Sequence, residues 1–106
     1  MSEIIRKLLI EFKEHLAALY GERLKGVYLF GSYARGEADE ESDVDVLIVL
    51  DQVKHYGQEV DHTGEISASL SLEYGKSISC VFVPEEKWHK DQTLFFLNVR
   101  EEAIAA

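Results

Sequence analysis

One stretch of this chain, residues 31–50, carries side chains able to do chemistry together: GSYARGEADEESDVDVLIVL. Asp43-Val44-Asp45 leads into the apolar run Val46-Leu47-Ile48-Val49-Leu50. Side chains of a strand alternate between its faces, so Asp43 and Asp45 point the same way, roughly 6–7 Å apart along the chain. Two carboxylates that close repel each other, and a divalent cation between them removes the repulsion. Mg²⁺ is the hard cation that such oxygens suit. Gly31-Ser32 directly follows a second apolar run, Val27-Tyr28-Leu29-Phe30. Gly31 lets the backbone come close to a ligand, and Ser32 offers a hydroxyl and an N–H. Successive N–H groups at a turn leading into a helical segment make a nest for an anion. A phosphate nest facing a metal-binding carboxylate pair is the minimum equipment for moving a nucleotidyl group from a nucleoside triphosphate.

These residues need strands to hold them and helices to cover the strands. The periodicity predicts a helix over 3–19, with Ile5, Leu8, Leu9, Phe12, Leu16 and Leu19 inward, Ser2 as cap and Gly21 as its end. Strands are predicted at 26–30 and 44–50. Between them, Tyr33-Ala34-Arg35-Gly36 reads as a short helical turn and 37–42 as a solvated loop. After a connection at 51–57, a helix is predicted over 58–74, with Val60, Ile66, Leu70 and Tyr74 inward and Gly75 just past its end. A third strand follows at 77–83, and Pro84 is placed to begin a short helix. A closing helix over 92–102 is expected to pack Leu94, Phe95 and Leu97. The order helix, strand, strand, helix, strand, helix predicts an α/β (α+β) domain: a small mixed β-sheet flanked by helices.

With 106 residues the chain is expected to form a single domain, 1–106, around one modest core. Its formal charge is −9, from 20 acidic and 11 basic residues. Such a surface repels nucleic acid and anionic membrane, and it either suits a basic protein partner or serves solubility alone. Cys80 is the only cysteine, which excludes an internal disulfide and a cysteine metal site. No apolar stretch is long enough for a signal or spanning segment, so the expected location is the cytoplasm. His15, His55, His62 and His89 lack metal-ligand spacing. Trp88 reads as a core aromatic, with an interface anchor as the lesser alternative. Arg35 has two open readings: an ion pair with Glu37 or Asp39 in the acidic loop, or a contact to a nucleotide phosphate.

Gly31-Ser32, ten residues, then Asp43-x-Asp45 resembles the signature of the polymerase-beta-type nucleotidyltransferase superfamily. The finer wording of residues 31–50, together with Asn98-Val99-Arg100-Glu101-Glu102 near the end, is similar to the minimal nucleotidyltransferases. The resemblance implies a nucleotidyltransferase α/β core with its site at one end of the sheet. It assigns Asp43 and Asp45 to catalysis and Mg²⁺ binding, and Gly31, Ser32 and Arg35 to nucleotide binding. It implies ATP as substrate and an antitoxin role. AMP would pass to a hydroxyl, typically a tyrosine, of an all-helical HEPN ribonuclease toxin, in a homo- or hetero-oligomer. Two alternatives stay open: a weakly active module that neutralises the toxin by binding it, and a small-molecule nucleotidyltransferase.

The chain departs from that superfamily in one respect. Active members usually carry a third carboxylate on the strand after Asp-x-Asp, and the strand Ser77 to Val83 has no acid. Ser79 or a neighbour takes the place, and a hydroxyl is a poor base and a poor metal ligand. The site then runs on two carboxylates, borrows an acid such as Glu65 or Glu73, or binds nucleotide without turnover.

Overall fold

The computed structural model describes residues 2–106. Helix α1 spans Glu3–Tyr20, and the Ser2 hydroxyl accepts a hydrogen bond from the Ile5 N–H at 3.2 Å. Ile5, Leu8, Leu9, Phe12 and Leu16 are buried along one stripe, as their spacing predicts. Leu19 is not inward. It is 43% exposed, and Tyr20 takes the next position on the buried stripe. Sixteen plus four, not three, continues the helical row that Phe12 and Leu16 define. Gly21, at φ 56°, ends the helix and begins a 3-10 turn to Arg23.

Strand β1 (Leu24–Phe30) runs into helix α2 (Ser32–Arg35), and β2 covers Val44–Leu50. Helix α3 (Tyr56–Tyr74) leads to β3 (Ile78–Pro84), and α4 (Glu85–Lys90) and α5 (Leu94–Glu102) precede a two-residue strand, β4 (Ile104–Ala105). The sheet has the order β3-β2-β1-β4. β1 pairs antiparallel with both β2 and β4, and β2 pairs parallel with β3. A mixed sheet flanked by helices is therefore the architecture, with β4 an addition to the three expected strands. Pro84 closes β3 instead of opening a helix, and it caps α4. β3 lies at the edge of the sheet, where a missing N–H is tolerated.

β2 is the centre of the core. Val44, Val46, Ile48 and Leu50 pack in one cluster with α1 and with Leu70 of α3. Leu47 and Val49 pack on the other face with Trp88 and Val99. Each such side chain contributes about 1.5–3 kcal/mol when withdrawn from water. Trp88 is a core aromatic, its ring centroid 4.8 Å from that of Tyr28.

Two helices bury other residues than their apolar ones. In α3, Val60 is exposed, and the inward stripe begins with Glu59 and Thr63 before Ile66 and Leu70. In α5, Leu94, Phe95 and Leu97 are exposed, whereas Val99 is buried and Phe96 partly so. Residues 96, 99 and 103 share the helix face turned to the sheet, and 94 and 97 do not.

Glu59 belongs inside because it is bonded there. Its carboxylate accepts from the Tyr20 hydroxyl at 3.0 Å and from the Arg23 guanidinium at 3.0 Å, tying α3 to the end of α1. Burial pushes its carboxyl up, but the hydrogen bonds from Arg23 and Tyr20 outweigh burial and hold it below the ordinary 4.5. A group depressed in the folded state stabilises above its unfolded pKa, and that stability is lost as pH falls through the folded value. Glu59→Ala is therefore expected to lower stability by about 1–2 kcal/mol at pH 7, chiefly by leaving the Tyr20 hydroxyl without its partner, since Arg23 keeps Asp51 and the Gln52 carbonyl. The difference between variant and wild type should shrink below about pH 4. Urea denaturation at both pH values measures it.

Candidate functional site

The site is built by the hairpin-like pairing of β1 and β2. Their register sets Phe30 directly opposite Asp45, so the end of β1 meets the start of β2. Directly after Phe30 the backbone turns at Gly31, with φ 76° and ψ −156°, a region open essentially to glycine. A Cβ at Gly31 would stand 2.2 Å from Oδ2 of Asp45. The Asp45 carboxylate thus lies against the Gly31 backbone, where only a hydrogen fits.

Asp45 is half-buried and Asp43 exposed. Burial, and then the charge of Asp43, push the Asp45 carboxyl above its ordinary value, while Arg35 opposes the shift. A carboxylate raised by burial and by a second carboxylate lacks a matching positive charge. The Asp43 and Asp45 side chains offer oxygen ligands only, the donor type a small hard cation takes. Among the described residues no three His, Cys, Asp or Glu are grouped to hold a metal by themselves.

Ser32 begins α2, and the turn closes at Gly36, whose N–H returns to the Ser32 and Tyr33 carbonyls. The Arg35 side chain projects from the end of this helix. Its Nε donates to Glu37 at 2.8 Å and its Nη1 to Glu102 at 3.1 Å. Of the two loop acids considered, Glu37 is the partner. Asp39 instead accepts from the Glu41 N–H at 2.9 Å within the loop.

Gly31, Ser32, Arg35 and Asp45 line one open cleft of about 390 Å³, together with Phe95 and Glu102 of α5. Asp43 does not line this cleft; it acts on Asp45 through its charge. Ser79 pairs with Asp45 across β2 and β3, which is the position a third acid would need. Glu65 and Glu73 do not compensate. They line a separate 740 Å³ groove between α1 and α3, with Glu11, His15 and His62. Those helices cover the face of β2 that carries Val44 and Val46, opposite to the face shared by Asp45, Leu47 and α5.

Glu102 is the cleft residue that motif spacing does not point to. Its Oε2 accepts from the Gly31 N–H at 2.6 Å, from 71 positions along the chain. The acid is visible at the end of the predicted closing helix, but nothing local says that the helix returns to the Gly-Ser turn.

Residues 9–103 match the family model of the nucleotidyltransferase domain. A relative in Methanocaldococcus jannaschii, described as a candidate protein adenylyltransferase, is 39% identical over 97 residues, covering 91% of each chain. A Thermococcus cleftensis protein named protein adenylyltransferase MntA is 45% identical over 70 residues, 66% of this chain and 69% of that one. In fold, the chain is similar to a structure described as a minimal nucleotidyltransferase, with TM-score 0.59 and 24% identity over 94% of this chain and 93% of that one. It is similar also to a chain from a toxin–antitoxin structure with AMP-PNP, with TM-score 0.61 and 18% identity over 89% of this chain and 68% of that one.

The contact between Gly31 and Asp45 has a stability signature. Gly31→Ala is expected to cost about 2–3 kcal/mol, from backbone strain and the displaced carboxylate together. Adding Asp45→Ala should recover about 1 kcal/mol, because the clash vanishes and the strain remains. Urea denaturation of both single variants and the double variant reads the coupling.

Proposed function

The chain belongs to the nucleotidyltransferase domain family, and from that premise we propose that it transfers AMP from ATP to a hydroxyl of a partner protein, as the antitoxin of a toxin–antitoxin pair. The supporting observation is the Asp45 carboxylate seated against the Gly31 turn at the mouth of a cleft. The relatives named protein adenylyltransferase support a protein acceptor. The partner is an all-helical HEPN-type ribonuclease, and the acceptor is a tyrosine. One domain, 1–106, provides the nucleotide site, and the acceptor arrives on the partner's surface.

In this reading Gly31 and Ser32 receive the phosphates through backbone N–H groups and the Ser32 hydroxyl. Arg35 turns its fork from Glu37 to a phosphate oxygen. Asp43 and Asp45 would hold Mg²⁺, which when bound neutralises phosphate charge and aligns the attacking and leaving oxygens. The acceptor oxygen forms a bond to the α-phosphorus, the bond to the β-phosphate oxygen breaks, and pyrophosphate leaves. The acceptor proton passes to water, since no acid occupies the Ser79 position. Each transferred group adds bulk and negative charge to a basic RNA-cutting surface. The net charge of −9 favours approach to such a surface.

The serine at position 79 favours a second reading, in which the protein binds nucleotide and blocks its partner without transfer. Labelled ATP, Mg²⁺ and the partner protein separate the two. Label on the partner supports the enzyme; a tight complex without label supports the binding module.

Asp43→Asn with Asp45→Asn should abolish Mg²⁺-dependent ATP binding in calorimetry while the fold stays intact or gains stability, since two repelling charges vanish. Unchanged affinity would contradict the site. Ser79→Asp should raise transfer about tenfold or more by supplying a base beside Asp45, read as initial rates of label incorporation.

A further inference from the structure

Two of the donors that a phosphate would use are already taken by an acid of the chain itself. The Gly31 N–H donates to Glu102 Oε2 at 2.6 Å, and Arg35 Nη1 donates to the same oxygen at 3.1 Å. A second acid, Glu37, holds the Arg35 Nε at 2.8 Å. One carboxylate oxygen held by a turn N–H and a guanidinium is how a phosphate oxygen would be held there. Glu102 is only one-fifth exposed and lies in the cleft beside Asp45, where its negative charge adds to that of Asp45 and Asp43. Glu102 and Asp45 are two carboxylates lining one cleft, and only Glu102 has the Gly31 N–H and the Arg35 guanidinium to hold it there.

The chain fixes the backbone of Glu102 from both sides. Before it, the last turn of α5 is closed by the Ala103 N–H to the Val99 carbonyl at 2.8 Å, and Val99 is buried. After it, β4 pairs with β1 through Ile104 and Ala105. The side chain is therefore delivered to the turn by the closing helix, and only its own rotation, or fraying of a two-residue strand, withdraws it.

We propose that Glu102 is a specificity-determining latch on the phosphate nest: an internal phosphate mimic that the polyphosphate of the nucleotide must displace from Gly31 and Arg35. This rests on the nucleotide reading of the same cleft and adds a competitor to it. A ligand must bring enough negative charge to outbid a tethered carboxylate, so Mg²⁺-ATP opens the nest and a singly charged ligand does not. The displaced Arg35 is then free of Glu102 and turns to the phosphate. The apparent affinity is lowered by the fraction of molecules whose latch is closed.

Calorimetric titration with Mg²⁺-ATP, together with hydrogen exchange at the Gly31 amide, tests the latch on wild type, Glu102→Gln and Glu102→Ala. The latch predicts that Glu102→Ala binds about tenfold more tightly, for an open population of roughly one in ten. Glu102→Gln should fall between it and wild type, since its amide oxygen still accepts from Gly31 without the charge. It also predicts faster exchange at Gly31 in the free Ala variant. If Glu102→Ala fails to fold, the Glu102→Gln gain alone decides the matter. Weaker binding in the variants would make Glu102 a ligand of the nucleotide or its metal, and equal binding would make it a brace for α5; either overturns the latch while the nucleotide site stands. No binding by any of the three proteins overturns the nucleotide reading and the latch together.

Discussion

The antiparallel register of β1 and β2 is the constraint on which the rest depends. By placing Phe30 opposite Asp45, it brings the turn after one strand to the carboxylate at the start of the other. The ten residues that separate Ser32 from Asp43 never need to hold the site together; the ladder does that. The central position of β2 makes the register hard to slip. Its side chains are buried on both faces, and a shift by one residue would move Asp45 into the α1–α3 core and Val44 or Val46 out toward the cleft. Hydrophobic packing thus fixes where a charged group sits.

That charged group is held at a cost. Burial and Asp43 both disfavour its ionised form, and Arg35, the nearest opposing cation, is shared between Glu37 and Glu102. The local excess of negative charge mirrors the whole chain, which carries −9. In the proposed function, such a site takes a ligand that brings its own divalent cation, and the acidic surface around it meets a basic protein. The two scales of electrostatics point to the same proposal, although one acts over a few ångströms and the other over the Debye length.

Much of this is legible before any coordinates. Gly31-Ser32 and Asp43-Val44-Asp45 are local patterns, and the apolar runs beside them are long enough to read as strands. What stays hidden is non-local or polar. Glu59 and Thr63 break the apolar pattern of α3, because a hydrogen-bonded acid can replace a hydrophobe on a buried face. The exposed Leu94 and Leu97 of α5 make the opposite error, drawing the eye to the wrong side of a short helix. β4 is two residues long, too short for any period to reveal. Glu102 follows from these failures: its place at the Gly31 turn depends on the true face of α5 and on β4, neither of which the sequence displays.

The most direct examination of the central claim is a crystal structure of the protein with Mg²⁺ and a non-hydrolysable ATP analogue. The account predicts triphosphate density over the Gly31-Ser32 turn, a cation touching both Asp43 and Asp45, and the Glu102 carboxylate turned away. An ordered analogue bound elsewhere, such as in the groove between α1 and α3, with the cleft beside Asp45 unchanged, would contradict it.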